Sequence, residues 1–213
     1  MPNAPASVSG VALVASKLAQ SGAPLTGTET AYATSAFMSI SFTPEYVEGD
    51  EVEEKAADGS VCVYYKLPDV LKRVTFSLQI CSPDPELSEI LAGGVLLEEG
   101  GEAIGYAAPE TGAEATPNGV ALEVWSRAVQ DGRQHPTLPF WRWVFPSTQM
   151  RFAGERVLEN GMLANTFEGW GVGNAQYGAG ALGTWAFPTD RAFQYAQVAT
   201  APVGINDYIP VAS

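Results

Sequence analysis

Between residues 36 and 43 apolar and polar positions alternate, with Met38, Ile40 and Phe42 on one face and Ser39, Ser41 and Thr43 on the other. Residues 72–80 repeat the pattern: Val74, Phe76, Leu78 and Ile80 alternate with Arg73, Thr75, Ser77 and Gln79. A period of two marks a strand with one face in a core and the other in water, because successive side chains of an extended chain point to opposite sides. Both segments are therefore predicted as half-buried strands. Runs of ordinary strand length at 60–66, 120–129, 140–145, 148–152, 162–168 and 192–198, separated by Gly, Pro, Asn or Asp, add six more. One segment breaks the period. In CSPDPELSEILAGG, Ser82 or Asp84 suits a cap, Pro85 the first turn and Glu86 the positive end of the dipole, while Gly93 and Gly94 stop the chain, so a short helix is predicted over 85–92.

The remaining segments read as connections. Residues 1–35, rich in Ala, Ser, Thr and Pro, are expected to form an extended arm with one short strand near 11–14, and 199–213 a second arm. Residues 44–59 hold seven carboxylates against Lys55, open on Pro44 and close on the turn pair Asp58 and Gly59, which reads as a long exposed acidic loop or hairpin. A turn at Pro68 and Asp69 would fold strand 60–66 back on 72–80, setting Cys62 opposite about Thr75 and leaving Cys81 out of register. Two buried thiols are expected rather than a disulfide. Residues 169–189 carry six glycines and no charge before Asp190, the pattern of a mobile or interface loop. The predicted class is mainly β: an antiparallel β-sandwich or barrel at 36–198 with one short helix and extended loops and arms.

Composition agrees and narrows the function. With 213 residues, 46% of them hydrophobic and 16% charged, the chain is long and apolar enough for a core. Eleven Lys and Arg against 24 Asp and Glu leave a net charge of −13, which excludes the basic footprint of a sequence-reading DNA binder. Acidity still suits a protein that lets nucleic acid pass without holding it, since like charges repel within a Debye length of about 8–10 Å. No apolar run reaches the roughly 18 residues of a membrane helix, and the first twenty residues lack the basic start and long apolar stretch of a secretion signal.

Candidate chemistry is sparse. His135 is the single histidine, in the turn-like GRQHP, and reads as an exposed loop residue rather than a catalytic base. Two separated cysteines and one histidine make no convincing zinc set. Asp50, Val52 and Glu54 fall at alternate positions but lack the oxygen-ligand pattern and glycine of a calcium loop. GWGVG at 169–173 has no βαβ context and is no dinucleotide loop. The stripe Trp141, Trp143 and Phe145 could stack on sugars, but at period two it reads first as a core or interface face, with Arg142 turned the other way. No cofactor and no catalytic residue is expected.

The order of several segments carries a resemblance. TPEYVEGDEVEEK, VCVYYKLPDVLKRVTFSLQICSPDPELSEILAGG, GYAAPETG, NGVALEVWSRAV and LENGMLANTFEGWGVGN, taken together, resemble the major tail proteins, or tail tube subunits, of long-tailed phages infecting actinobacteria, over about 36–195. The resemblance implies a virion structural protein of the tail-tube β-sandwich type, assembled in the host cytoplasm. It would stack as homohexameric rings around a DNA channel and meet the tape measure, terminator and distal tail proteins. It implies an inter-ring loop carrying Glu45, Tyr46, Glu48, Asp50, Glu51, Glu53 and Glu54, and a flanking helix with Pro85, Glu86, Leu87, Ile90 and Leu91. Ser39, Ser41, Thr75, Ser77 and Gln79 are the candidates to face the lumen, or else the outer wall. A terminator or baseplate ring protein, or a non-viral β-sandwich module that binds carbohydrate, is the alternative.

Overall fold

The computed structural model describes residues 4–154 and 165–211. Strands β1 (Ala6–Lys17), β2 (Gly27–Thr34), β3 (Phe37–Val47), β4 (Glu51–Lys55), β5 (Val61–Lys66) and β6 (Val70–Ile80) precede helix α1 (Pro85–Ala92). Strands β7 (Val95–Glu99), β8 (Glu102–Ala107), β9 (Val120–Gln130), β10 (Arg133–Gln134), β11 (Phe140–Phe152), β12 (Asn165–Val172), β13 (Gln194–Val198) and β14 (Asp207–Val211) follow, with one 3-10 turn at Ala175–Tyr177. The fold is mainly β: 56% of the described residues are in strand and 6% in helix, and every strand pairing among them is antiparallel.

The principal sheet runs β14-β2-β1-β9-β11-β12-β6-β3, with β10 beside β9 and β13 beside β11. It is bent over on itself. One apolar cluster takes Leu13 and Ala15 from β1, Leu122 and Val124 from β9, Phe145 from β11, Phe167 from β12 and the whole alternate set Val74, Phe76, Leu78 and Ile80 from β6. Strands at both ends of the sheet therefore face each other across a single core, as a sandwich requires. The start of β3 closes over β1: the Phe37 ring occupies the space a side chain at Gly10 would fill.

Helix α1 spans the expected residues. Asp84 is the cap, its Oδ1 accepting from Leu87 N at 3.0 Å; Pro85 lies in the first turn, and Gly93 ends the helix at φ 68°. Leu87, Ile90 and Leu91 are buried in the main core, so the helix closes the sandwich rather than lying beside it. Lys17 on β1 fastens its outer face through Glu89 at 2.7 Å.

Several expectations give way. Residues 6–34 are not an arm: β1 lies between β2 and β9, and Ala12 to Ala15 are fully buried. Of the second arm expected at 199–213, residues 207–211 are likewise strand, β14, paired to β2 with Ile209 and Val211 buried. Met38 does not face the core. The β3–β6 register steps from Phe37 opposite Ile80 to Ser39 opposite Gln79, and this bulge turns Met38 out to 53% exposure while Phe37, Ile40 and Phe42 pack inward. Segments 140–145 and 148–152 are one strand, β11, with a register shift between Phe145 and Thr148. Of the strand expected at 162–168, residues 162–164 lie outside the described residues and the rest belongs to β12.

Candidate assembly surfaces

The acidic segment is not an irregular loop. Its first residues, Pro44 to Val47, continue β3, and after a break at 48–50 the chain resumes as β4, which pairs with β5 and not with β6. Gly49 N donates to Asp69 Oδ1 at 3.1 Å and Leu67 N to Asp50 O at 2.9 Å, tying the two breaks together. Residues 37–55 and 61–80 thus form a nearly continuous two-stranded ribbon whose outer half leaves the sandwich. The turn pairing expected between strands 60–66 and 72–80 fails because β3 already occupies the free edge of β6.

Alternation persists on that outer half. Val52 lies opposite Tyr65 and Glu54 opposite Val63, and Val61, Val63 and Tyr65 fall on one side of β5 while Cys62, Tyr64 and Lys66 fall on the other. Strand periodicity normally records burial of one face. Here nothing among the described residues covers it: Val52, Val61, Val63 and Tyr65 are 50–59% exposed. Cys62 is exposed on the same ribbon and Cys81 half-buried beyond β6, so neither is the buried thiol expected.

The expected inter-ring residues divide. Tyr46, Glu48, Asp50, Glu51, Glu53 and Glu54 are exposed along the ribbon. Glu45 instead anchors its base, accepting from Arg73 Nε at 2.5 Å and Lys72 Nζ at 3.3 Å, and the Arg73 hydrogen bond holds its carboxyl below the usual value. At the tip Asp58 accepts from Ser60 Oγ at 2.6 Å and Ser60 N at 2.9 Å, which also lowers its carboxyl.

The polar strand faces come together as the periodicity requires. Ser39 lies opposite Gln79, Ser41 opposite Ser77 and Thr43 opposite Thr75, and the face continues through Thr166, Glu168 and Trp170 on β12 to Arg151 and Gln149 on β11. Arg151 forks onto Glu168 Oε1 at 3.0 and 2.7 Å. A depression of about 700 Å³ lies on this face between Arg73, Thr75, Gln149, Trp170 and the loop at Glu114 and Thr116.

The Gly-rich segment was expected to be a mobile or interface loop; much of it is docked. Gly169 and Gly171 belong to β12, where backbone of β11 lies too close for a side chain. Beyond them Tyr177, Ala181 and Trp185 are buried against the outer face of β9 and β11. The fastening is a charge network: Arg142 Nε donates to Glu123 Oε2 at 2.7 Å, Arg142 Nη1 to Thr184 Oγ1 at 2.8 Å, and Tyr177 OH to Glu123 Oε1 at 2.7 Å. The Arg142 guanidinium lies over the rings of Trp125 and Trp185, 5.1 and 5.3 Å from their centroids. Burial pushes the Glu123 carboxyl up against the lowering by Arg142 and Tyr177, and burial beside Glu123 pushes the Tyr177 phenol well up. The signal was readable: one acid inside VALEVW and one base inside FWRWVF, each flanked by large apolar residues, need each other.

A scan against protein-family models finds no match for this chain, and a search of curated proteins finds none. The stripe Trp141 and Trp143 is half-buried, with Tyr195 of β13 4.5 Å from the Trp143 ring and 5.7 Å from the Trp141 ring, and Trp143 also packs on Phe42. These rings are engaged with each other and with the core. His135 is half-buried in its turn, its Nδ1 accepting from Leu138 N at 3.1 Å. Among the described residues no group of three or more His, Cys, Asp or Glu is placed to hold a metal ion.

Proposed function

We propose that this chain is a structural subunit that polymerises head to tail, as the tail tube protein of a long-tailed phage, in stacked hexameric rings around a DNA channel. The observation that carries the reading is the projecting ribbon of β4 and β5. An isolated two-stranded hairpin is at best marginally stable in water, and an alternating apolar face left half-exposed gains stability only when another surface covers it. Among the described residues of this chain nothing covers the apolar side chains of β4 and β5. Among the described residues β3 and β14 are the end strands of the sheet, which supports the same reading, and each bears a proline, Pro44 and Pro210, that limits indiscriminate strand addition. The ladder of Ser39, Ser41, Thr75, Ser77 and Gln79 suits a wall past which DNA slides, being small, polar and without strong phosphate ligands. The ordered resemblance of the segments to tail tube proteins points the same way.

The test is electron microscopy of the purified chain over a range of concentrations. The expected result is hollow rods with six subunits per ring. A monomer of 22.5 kDa at every concentration, or closed rings of another symmetry, would overturn it.

A further inference from the structure

We infer that the cleft between the loop at 185–191 and strand β13 binds a proline-rich segment of another protein. The site lies apart from the ribbon and the polar ladder and does not depend on the assembly reading. The cleft encloses about 510 Å³, with Trp185 as its floor, Phe187 and Pro188 on the loop side, and Gln194, Tyr195 and Ala196 on the strand side. Among the described residues β13 pairs with β11 alone, so the cleft wraps its open edge. Gln194 and Ala196 share the face turned to Trp185, while Tyr195 is on the face turned to Trp143. A chain lying along such an edge touches side chains of both faces.

Hydrogen bonding and shape together define the ligand. Trp185 is 5% exposed, and its indole Nε1 and the Gln194 amide Nε2 are buried with no acceptor among the described residues. A buried donor without an acceptor is costly, and native folds leave few. Both orphans are donors, so the ligand supplies carbonyl oxygens. The rings of Trp185 and Phe187 meet edge to face, their centroids 5.2 Å apart and their planes at 68°. Rings so placed bound a notch for a compact apolar group rather than a flat platform on which a sugar would stack. Phe187 and Tyr195, each 54% exposed, are left for a ligand to cover.

Proline meets both demands. Its ring is apolar and compact, its carbonyl accepts, and it has no N–H of its own to leave unpaired. A polyproline helix is also extended before it binds, so little ordering is lost on docking. The same aromatic patch already holds one proline in this way: the Tyr195 ring lies 5.7 Å from that of Trp141, whose Nε1 donates to Pro5 O at 3.2 Å. On the rim of the cleft Asp190 and Arg191 pair with each other at 3.5 Å, so the ligand it selects is uncharged.

The experiment titrates the full chain into a fluorescently labelled decaproline peptide, with a glycine–serine peptide of equal length as control, and reads polarisation. Decaproline binds saturably and the control does not. Phe187→Ala weakens decaproline binding by about tenfold or more with unchanged thermal melting, since its ring is exposed. In heteronuclear NMR spectra of the unaltered chain the indole N–H resonance of Trp185, identified as the one that Trp185→Phe removes, shifts on adding decaproline. Absence of saturable binding, equal binding of the two peptides, full-strength binding by Phe187→Ala, or displacement of decaproline by maltohexaose would each overturn the site. None of these outcomes touches the assembly reading, which is decided by whether the chain forms rods.

Discussion

Arg142 and Glu123 are each isolated within apolar strands, and their energetics are those of a buried ion pair. Removing one partner strands the other charge in a low-dielectric site, which costs about 3–5 kcal/mol. Arg142→Ala is expected to lose that much in urea unfolding, whereas E123M/R142M, which removes both charges, loses less. Glu45 is the opposite case, a solvent-accessible, half-buried carboxyl held below its ordinary value of 4.5 by Arg73. Its folded value being the lower one, the contact contributes fully above pH 4.5 and is lost as pH falls through the folded value. An NMR titration of the Glu45 side chain should give a midpoint below 4.5, and Arg73→Ala should bring it back towards 4.5.

Elements here owe their limits to single contacts. Asp84→Ala removes the cap of α1 and should cost about 1 kcal/mol, the usual worth of an N-cap carboxylate, read as a fall in the urea midpoint at constant slope. In β12, a methyl group at Gly169 would meet the carbonyl of Gln149 on β11, and rigid backbone cannot give way as a side chain end can. Gly169→Ala should therefore destabilise by about 1–3 kcal/mol, the ordinary cost of overpacking. The ribbon was the hardest element to read from sequence. Its glutamates resemble a solvated loop, and only the continued pairing of β3 with β6 as far as Val47 opposite Val70 carries the chain out as strand.

For the whole molecule the question is whether the ribbon serves the fold or its partners. Val47 and Val70 face each other, so residues 48–69 can be replaced by an Asn-Gly turn that joins the pair directly. Since the apolar residues of β4 and β5 are exposed and absent from the core clusters, this variant should melt within a few degrees of the full chain and lose self-association in sedimentation. Assembled tubes should retain little double-stranded DNA even at low salt, because a net charge of −13 on each subunit repels phosphates. Tight retention in a filter assay would contradict a low-friction channel.

The sequence by itself determined the class, the helix and the polarity of the two alternating strands. These depend on neighbours one to four residues apart: the period of two in 72–80 fixed which side chains of β6 enter the core, and Asp84, Pro85 and Gly93 fixed α1. Partners of strands were another matter. Pairing joins residues far apart in the chain, Gly10 with Ser126 or Ile209 with Ala31, and no local pattern states it, so an Ala- and Ser-rich N-terminus that reads as an arm became an interior strand. The bulge at Met38 likewise follows from the register imposed by β6. Tertiary structure alone decided which apolar alternation is buried: Val74 to Ile80 and Val61 to Tyr65 have the same period, but β6 meets the opposing half of the sheet while β5 projects beyond it, so the first makes the core and the second is left for a partner.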